Sequence, residues 1–146
     1  MRTRLLENED LRAVINLLKE ESDFFKTVCG EDELTQILIN RDVYCVVAID
    51  SSNLIAGIVF IQPGFFSNLS YLVVRQMYRN ILANRGVTIG ELLICKACEW
   101  LRNRGYKKVY ITIEDSDLRF ETLRDYFCCF DFKSDKKLLS MSRSLS

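Results

Sequence analysis

The chain has 146 residues, 49% of them apolar and 27% charged, which suits one compact domain with a real core and leaves little room for a second. Basic and acidic residues both total 20, so a formal charge of zero gives no broad pull toward nucleic acid or an anionic membrane, and any anion site must be local. The absence of histidine removes the commonest general base and metal ligand, leaving acid–base work to Asp, Glu, Tyr, Lys or Cys.

The opening "MRTRLLENED" lacks the apolar core of a signal peptide, and no apolar run is long enough to span a bilayer. A soluble cytoplasmic protein with no membrane partner is expected. Residues 2–6 read as a short strand, followed by Asn8 as an N-cap with Glu9 and Asp10 in the positive first turn of a helix. Leu11, Val14, Ile15 and Leu18 mark one face of that helix. A second, shorter helix is predicted from about Glu31 to Asn40, with Leu34, Ile37 and Leu38 inward and Gly30 as the break before it.

"VYCVVAI" (43–49) and "LIAGIVFI" (54–61) are rich in β-branched residues and are joined by "DSSN", the pattern of an antiparallel hairpin. Pro63 and Gly64 end the second of these runs, and "LSYLVV" (69–74) continues the sheet. The stretch "RQMYRNILAN" has no clean period and receives no assignment.

From Gly90, the apolar positions Leu93, Ala97, Trp100 and Leu101 recur at helical spacing until Gly105, and Trp100 is expected in the core. "KKVYITI" (107–113) alternates as a strand with one buried face does, giving a strand, helix, strand unit with its strands parallel. A helix over about 117–127, a closing hairpin and a frayed tail over about 142–146 complete the chain. The prediction is a mixed α/β fold: a mostly antiparallel sheet with one parallel crossover pair, flanked by helices, over residues 1–146 as one domain.

The six cysteines are scattered, several of them in apolar stretches where a thiol packs as a small hydrophobe, and reduced thiols are the simplest reading. Cys95 and Cys98 share a helix face, but no second ligand pair accompanies them, so packing is expected and no metal.

"RGVTIG" (85–90) stands where the first N–H groups of a helix point outward unpaired, a setting that binds phosphate. A structural turn that happens to contain glycine is the competing reading. A nucleotide P-loop would need Gly-Lys followed by Ser or Thr, and the dinucleotide fingerprint three glycines; neither is present. Arg75, Arg79 and Arg85 have no acid in their stretch, so they either extend a phosphate site or form a solvated face.

The stretch resembles the acyl-CoA loop of the GCN5-related N-acetyltransferases, whose pattern is Arg or Gln, two residues, Gly, one residue, then Gly or Ala. The helix and strand that come after it, and the order of elements along nearly the whole chain, are similar to that family as well. The resemblance implies that Arg85, Gly86, Val87, Thr88, Ile89 and Gly90 hold the pyrophosphate of acetyl-CoA, with pantetheine flanked by Leu72, Val73 and Val74 between the fourth and fifth strands. It also implies transfer of acetyl from acetyl-CoA to a primary amine (a small molecule, a lysine or a protein N-terminus) by direct attack, with backbone amides polarising the acyl carbonyl.

Four departures qualify the match. Thr88 stands at the middle glycine position, so the loop either takes an ordinary helical conformation there or binds less well. The link over 75–84 is longer than expected. No Asp or Glu occurs from Ser51 through Gly90, so the strand carries no carboxylate base, and Glu114 and Asp115 at the end of the next strand become the candidates. The family's tyrosine that protonates the leaving thiolate falls on Phe127 by strict count, or on Tyr126 with one residue of slack. Thr88, the missing carboxylate and the phenylalanine at 127 leave an alternative open, a domain of this fold that binds CoA weakly and serves as a protein-interaction module. The oligomeric state is not fixed by the sequence, a homodimer being one option.

Overall fold

The computed structural model describes residues 1–27, 29–64, 67–79 and 87–111, with residues 23 and 24 as backbone alone. The chain divides into two compact units, Met1–Val109 and Tyr110–Ser146. In the second unit the described residues are Tyr110–Ile111, a short strand (β5).

Among its described residues the first unit holds four strands, β1 (Arg2–Leu5), β2 (Tyr44–Ile49), β3 (Ile55–Gln62) and β4 (Asn68–Val74), which pair in chain order, each antiparallel to the next. The hairpin expected at "DSSN" joins β2 to β3. Asp50 accepts hydrogen bonds from the amides of Ser52 (2.8 Å) and Leu54 (2.9 Å), while Asn53 takes the left-handed conformation that asparagine tolerates, with φ of 63°. β2 and β3 are buried along almost their whole length because helices cover both faces of the sheet.

One layer consists of α1 (Leu11–Glu21), α2 (Asp23–Thr27) and α3 (Glu31–Ile39). Val14, Leu17 and Leu18 of α1, Phe25 of α2 and Leu34 and Leu38 of α3 form one core with Cys45, Val47, Ile49, Ile58, Phe60 and Val73 of the sheet. The alternate strand residues, among them Val46, Ala48, Val59, Ile61 and Leu69, are buried too and turn to the opposite face. There α4 (Ile89–Asn103) contributes Ile89, Leu93, Ile94, Ala97 and Leu101. Gly57 allows the close approach of this layer: a Cβ on it would stand 3.1 Å from Leu93 Cδ1 and 3.0 Å from the Val73 carbonyl.

α1 is preceded by a 3-10 turn over Asn8–Asp10 capped by Glu7, one residue before the expected cap. α2 was not predicted, since five residues are too few to establish a helical period. α4 stops as expected at Gly105, whose φ of 89° suits glycine. Beyond it, the Tyr106 hydroxyl donates to the Gly64 carbonyl (3.4 Å) and the Ser67 hydroxyl donates to the Lys108 carbonyl. The chain leaving α4 therefore advances beside the approach to β4 in the same direction, as a strand, helix, strand crossover requires. Residues 106–109 are not a regular strand, which begins at Tyr110 rather than at 107.

Candidate functional site

β4 is irregular in its middle. Ser70 pairs with Phe60 and Leu72 with Val59, so Tyr71 is an extra residue inserted between consecutive positions of β3, and its φ is 54°. This is a β-bulge, which sets two consecutive side chains toward one face and bends the strand. A left-handed non-glycine residue costs about 1–3 kcal/mol and persists where its surroundings over-determine it. The Tyr71 ring meets Phe25 edge-on at 5.0 Å and Phe60 at 5.8 Å, and those two rings lie 5.9 Å apart. Tyr71 is nevertheless 46% exposed. Beside it, the Ser70 Oγ is buried and has no hydrogen-bond partner among the described residues.

Leu72, Val73 and Val74 complete the strand. Val73 belongs to the α1–α3 core, so its side chain is already committed, whereas Leu72 and Val74 are half-buried opposite Val59 and Gly57. Any contact of Val73 with a ligand falls to its backbone.

The start of α4 corrects one expectation. Thr88 has φ of −72° and ψ of 162°, an extended conformation without strain, and it is the N-cap of the helix. Its Oγ1 accepts from the Glu91 amide at 3.2 Å. Neither a left-handed nor a helical conformation is used at this position, because a threonine before a helix gains more from capping. The cap occupies the third helical amide and leaves those of Ile89 and Gly90, which have no acceptor within the helix, leading its positive end. Glu91 places an acid in the same first turn. Arg85 and Gly86 lie outside the described residues, as do Glu114, Asp115, Tyr126 and Phe127.

Among the described residues of the basic stretch after β4, Arg75 and Arg79 are both engaged by partners within the fold. Arg75 donates to Glu20 at 2.7 Å and to the Ile55 carbonyl at 3.2 Å, and Arg79 donates to Glu21 at 2.8 Å and to the Val74 carbonyl at 2.9 Å. The end of α1 thus neutralises both guanidinium groups. Glu20, Glu21, Arg75, Gln76 and Met77 line a shallow groove of 420 Å³. Between the two arginines, Gln76–Tyr78 form a 3-10 turn, and the Tyr78 hydroxyl donates to the Asp50 carboxylate. That hydrogen bond holds the Asp50 carboxyl below its ordinary range and raises the Tyr78 phenol above its own.

Trp100 is half-buried rather than in the core: its ring meets that of Tyr44 at a tilt, with centroids 4.6 Å apart, and the Arg104 guanidinium lies 4.0 Å from its centre. Cys95 is exposed, so packing does not account for it, while burial raises the Cys98 thiol and pushes the Cys45 thiol up to about 12. Among the described residues, no three Cys, Asp or Glu side chains gather as metal ligands, and no helix is long and apolar enough to cross a membrane.

Sequence reasoning missed Ser70, Tyr71, Glu20 and Glu21. The bulge has no compositional mark, since the residue at its left-handed position is tyrosine where glycine or asparagine would have signalled it. For Thr88 a mark was present: threonine followed three residues later by Glu91 is the sequence pattern of a capping box.

No protein-family model and no curated protein matches the chain. Solved structures do. A transcriptional regulator from Bacillus halodurans C-125 superposes with a TM-score of 0.70 at 17% identity, covering 92% of this chain and 93% of its own. An acetyltransferase of Trypanosoma brucei gives 0.63 at 23% identity, with 92% and 93% covered. An aminoglycoside N-acetyltransferase in complex with CoA gives 0.69 at 14%, with 91% and 88% covered.

Proposed function

We propose, from the premise that this chain has the fold of the GCN5-related acetyltransferases, that it transfers acetyl from acetyl-CoA to a primary amine. The observation that most supports the reading is the succession of a bulged β4 and a capped α4 whose leading amides belong to Ile89 and Gly90. These amides, with Arg85, Gly86, Val87 and the Thr88 backbone, hold the pyrophosphate. The pantetheine arm runs along Leu72, Val73 and Val74.

The amine nitrogen attacks the thioester carbonyl carbon, a C–N bond forms as C–S breaks, and a backbone amide of the bulged strand polarises the carbonyl oxygen. Holding the two reactants side by side supplies much of the acceleration. Glu114 and Asp115 accept the proton released by the amine, and Tyr126 protonates the departing thiolate. No metal takes part in this scheme.

Thermal unfolding with and without acetyl-CoA, with ADP as the control, tests it. At about 100 times the dissociation constant, acetyl-CoA stabilises the native state by about 2.7 kcal/mol, which raises Tm by roughly 5–10 °C for a chain of this size. A shift well beyond that with ADP, lost in Gly86→Asp, supports the reading. No shift at millimolar acetyl-CoA overturns it and turns the search to protein partners.

A further inference from the structure

We propose that the face of β4 bearing Tyr71 receives the acceptor and selects amines carried on an aromatic group, an inference that rests on the acetyltransferase reading above. The bulge turns both Ser70 and Tyr71 toward the face lined by Phe60 and Phe25. Phe25 is fully buried and Phe60 is 2% exposed, so together they form a fixed backing, while Tyr71 presents nearly half its surface to solvent. A strained aromatic residue kept at the surface over a rigid aromatic floor is a wall for a planar apolar group.

Charge points the same way. No acid occurs from Ser51 through Gly90, and the carboxylates of Glu20 and Glu21 at the end of α1 are paired with Arg75 and Arg79. A polycation entering here meets no uncompensated carboxylate among the described residues of β4 and α1's last turn. Ser70 supplies one polar anchor: its buried Oγ, unpartnered among the described residues, can hydrogen-bond the amine nitrogen or a hydroxyl next to it, removing the penalty of an unsatisfied group. In the reaction the phenethylamine nitrogen bonds to the acetyl carbon, the C–S bond breaks, and CoA leaves as the thiol with the proton that the amine has lost.

The test measures release of CoA thiol with phenethylamine and with spermidine as acceptors. The parent protein is expected to favour phenethylamine in kcat/KM, and Tyr71→Gly, which suits the left-handed backbone while deleting the ring, to reduce that preference by roughly three- to tenfold through KM. Tyr71→Phe restores it. A preference for spermidine, or a preference that Tyr71→Gly leaves unchanged, overturns the inference. Calorimetric titration of phenethylamine into the CoA-bound parent reads the same preference independently of turnover, and binding weaker than that of spermidine counts against it. Stabilisation by acetyl-CoA, measured alongside, separates the two failures. If acetyl-CoA stabilises the protein and the aromatic preference is absent, this inference alone falls; if acetyl-CoA does not bind, both fall.

Discussion

The Arg75 guanidinium at the end of β4 lies 2.7 Å from the Glu20 carboxylate at the end of α1, joining residues 55 positions apart. The two partners are unequally placed, with side-chain exposures of 23% for Arg75 and 60% for Glu20. Arg75 also donates to the Ile55 carbonyl, so its loss uncovers more than one group. Arg75→Ala is expected to cost about 1–2 kcal/mol and Glu20→Ala under about 1 kcal/mol, with a coupling of about 0.2–1 kcal/mol in a double-mutant cycle read by urea unfolding. Equal costs for the two variants would mean that the ion pair, not the carbonyl contact, fixes Arg75.

The layers of the fold were legible because they follow from hydropathy. The short length and β-branched content of "VYCVVAI" favour a buried strand, and the spacing of Leu93, Ala97 and Leu101 marks the buried face of a helix. The features that shape the candidate site depend on long-range partners or on one backbone angle. Arg75 reads as unopposed because its acid lies in α1, 55 residues earlier, and Tyr71 reads as an ordinary strand residue because tyrosine suits strands and nothing in "LSYLVV" marks a bulge. At Thr88 the resemblance left an ordinary helical conformation or weaker binding, whereas the residue's own chemistry favoured an extended N-cap.

Asp10 is 8% exposed and accepts from both arms of Arg4, at 2.5 and 2.9 Å, and from the Glu7 amide at 2.8 Å. The hydrogen bonds from Arg4, foremost, hold its carboxyl below the ordinary 3.8. A group with a depressed folded pKa contributes stability that is fully present above its unfolded value and is lost as pH falls through the folded one. Asp10→Asn is therefore expected to cost about 1.5–3 kcal/mol at neutral pH. The gap between the two proteins' urea midpoints should close once the pH passes below the ordinary aspartate range. A gap that stays constant to low pH would show that the charge on Asp10 contributes nothing.

A Cβ at Gly57 would crowd both the paired strand and α4. A methyl group there meets the Val73 carbonyl at 3.0 Å, a backbone atom on the paired strand, and Leu93 Cδ1 at 3.1 Å, the far end of a side chain. Gly57→Ala is expected to destabilise by about 1–3 kcal/mol. Leu93→Ala added to it should cost less than the sum of the single changes, because the second removes the clash of the first. Strict additivity would show that the carbonyl contact carries the whole effect.

Thr88 gives a prediction whose sign distinguishes two backbones. A threonine forced into a left-handed loop would be relieved by glycine, and Thr88→Gly would then stabilise the protein by roughly 1 kcal/mol. With φ of −72° and Oγ1 accepting from the Glu91 amide, there is no strain to relieve and a hydrogen bond to lose. Thr88→Gly is expected to destabilise by a few tenths of a kcal/mol, Thr88→Ala by about 1 kcal/mol, and Thr88→Ser hardly at all. The order of urea midpoints should therefore be parent and Ser, then Gly, then Ala. Acetyl-CoA should leave that order intact, because the cap engages the Glu91 amide and not those of Ile89 and Gly90, to which the pyrophosphate is assigned. A glycine variant more stable than the parent would show that Thr88 is held in a strained, left-handed loop and not in the extended conformation of a cap.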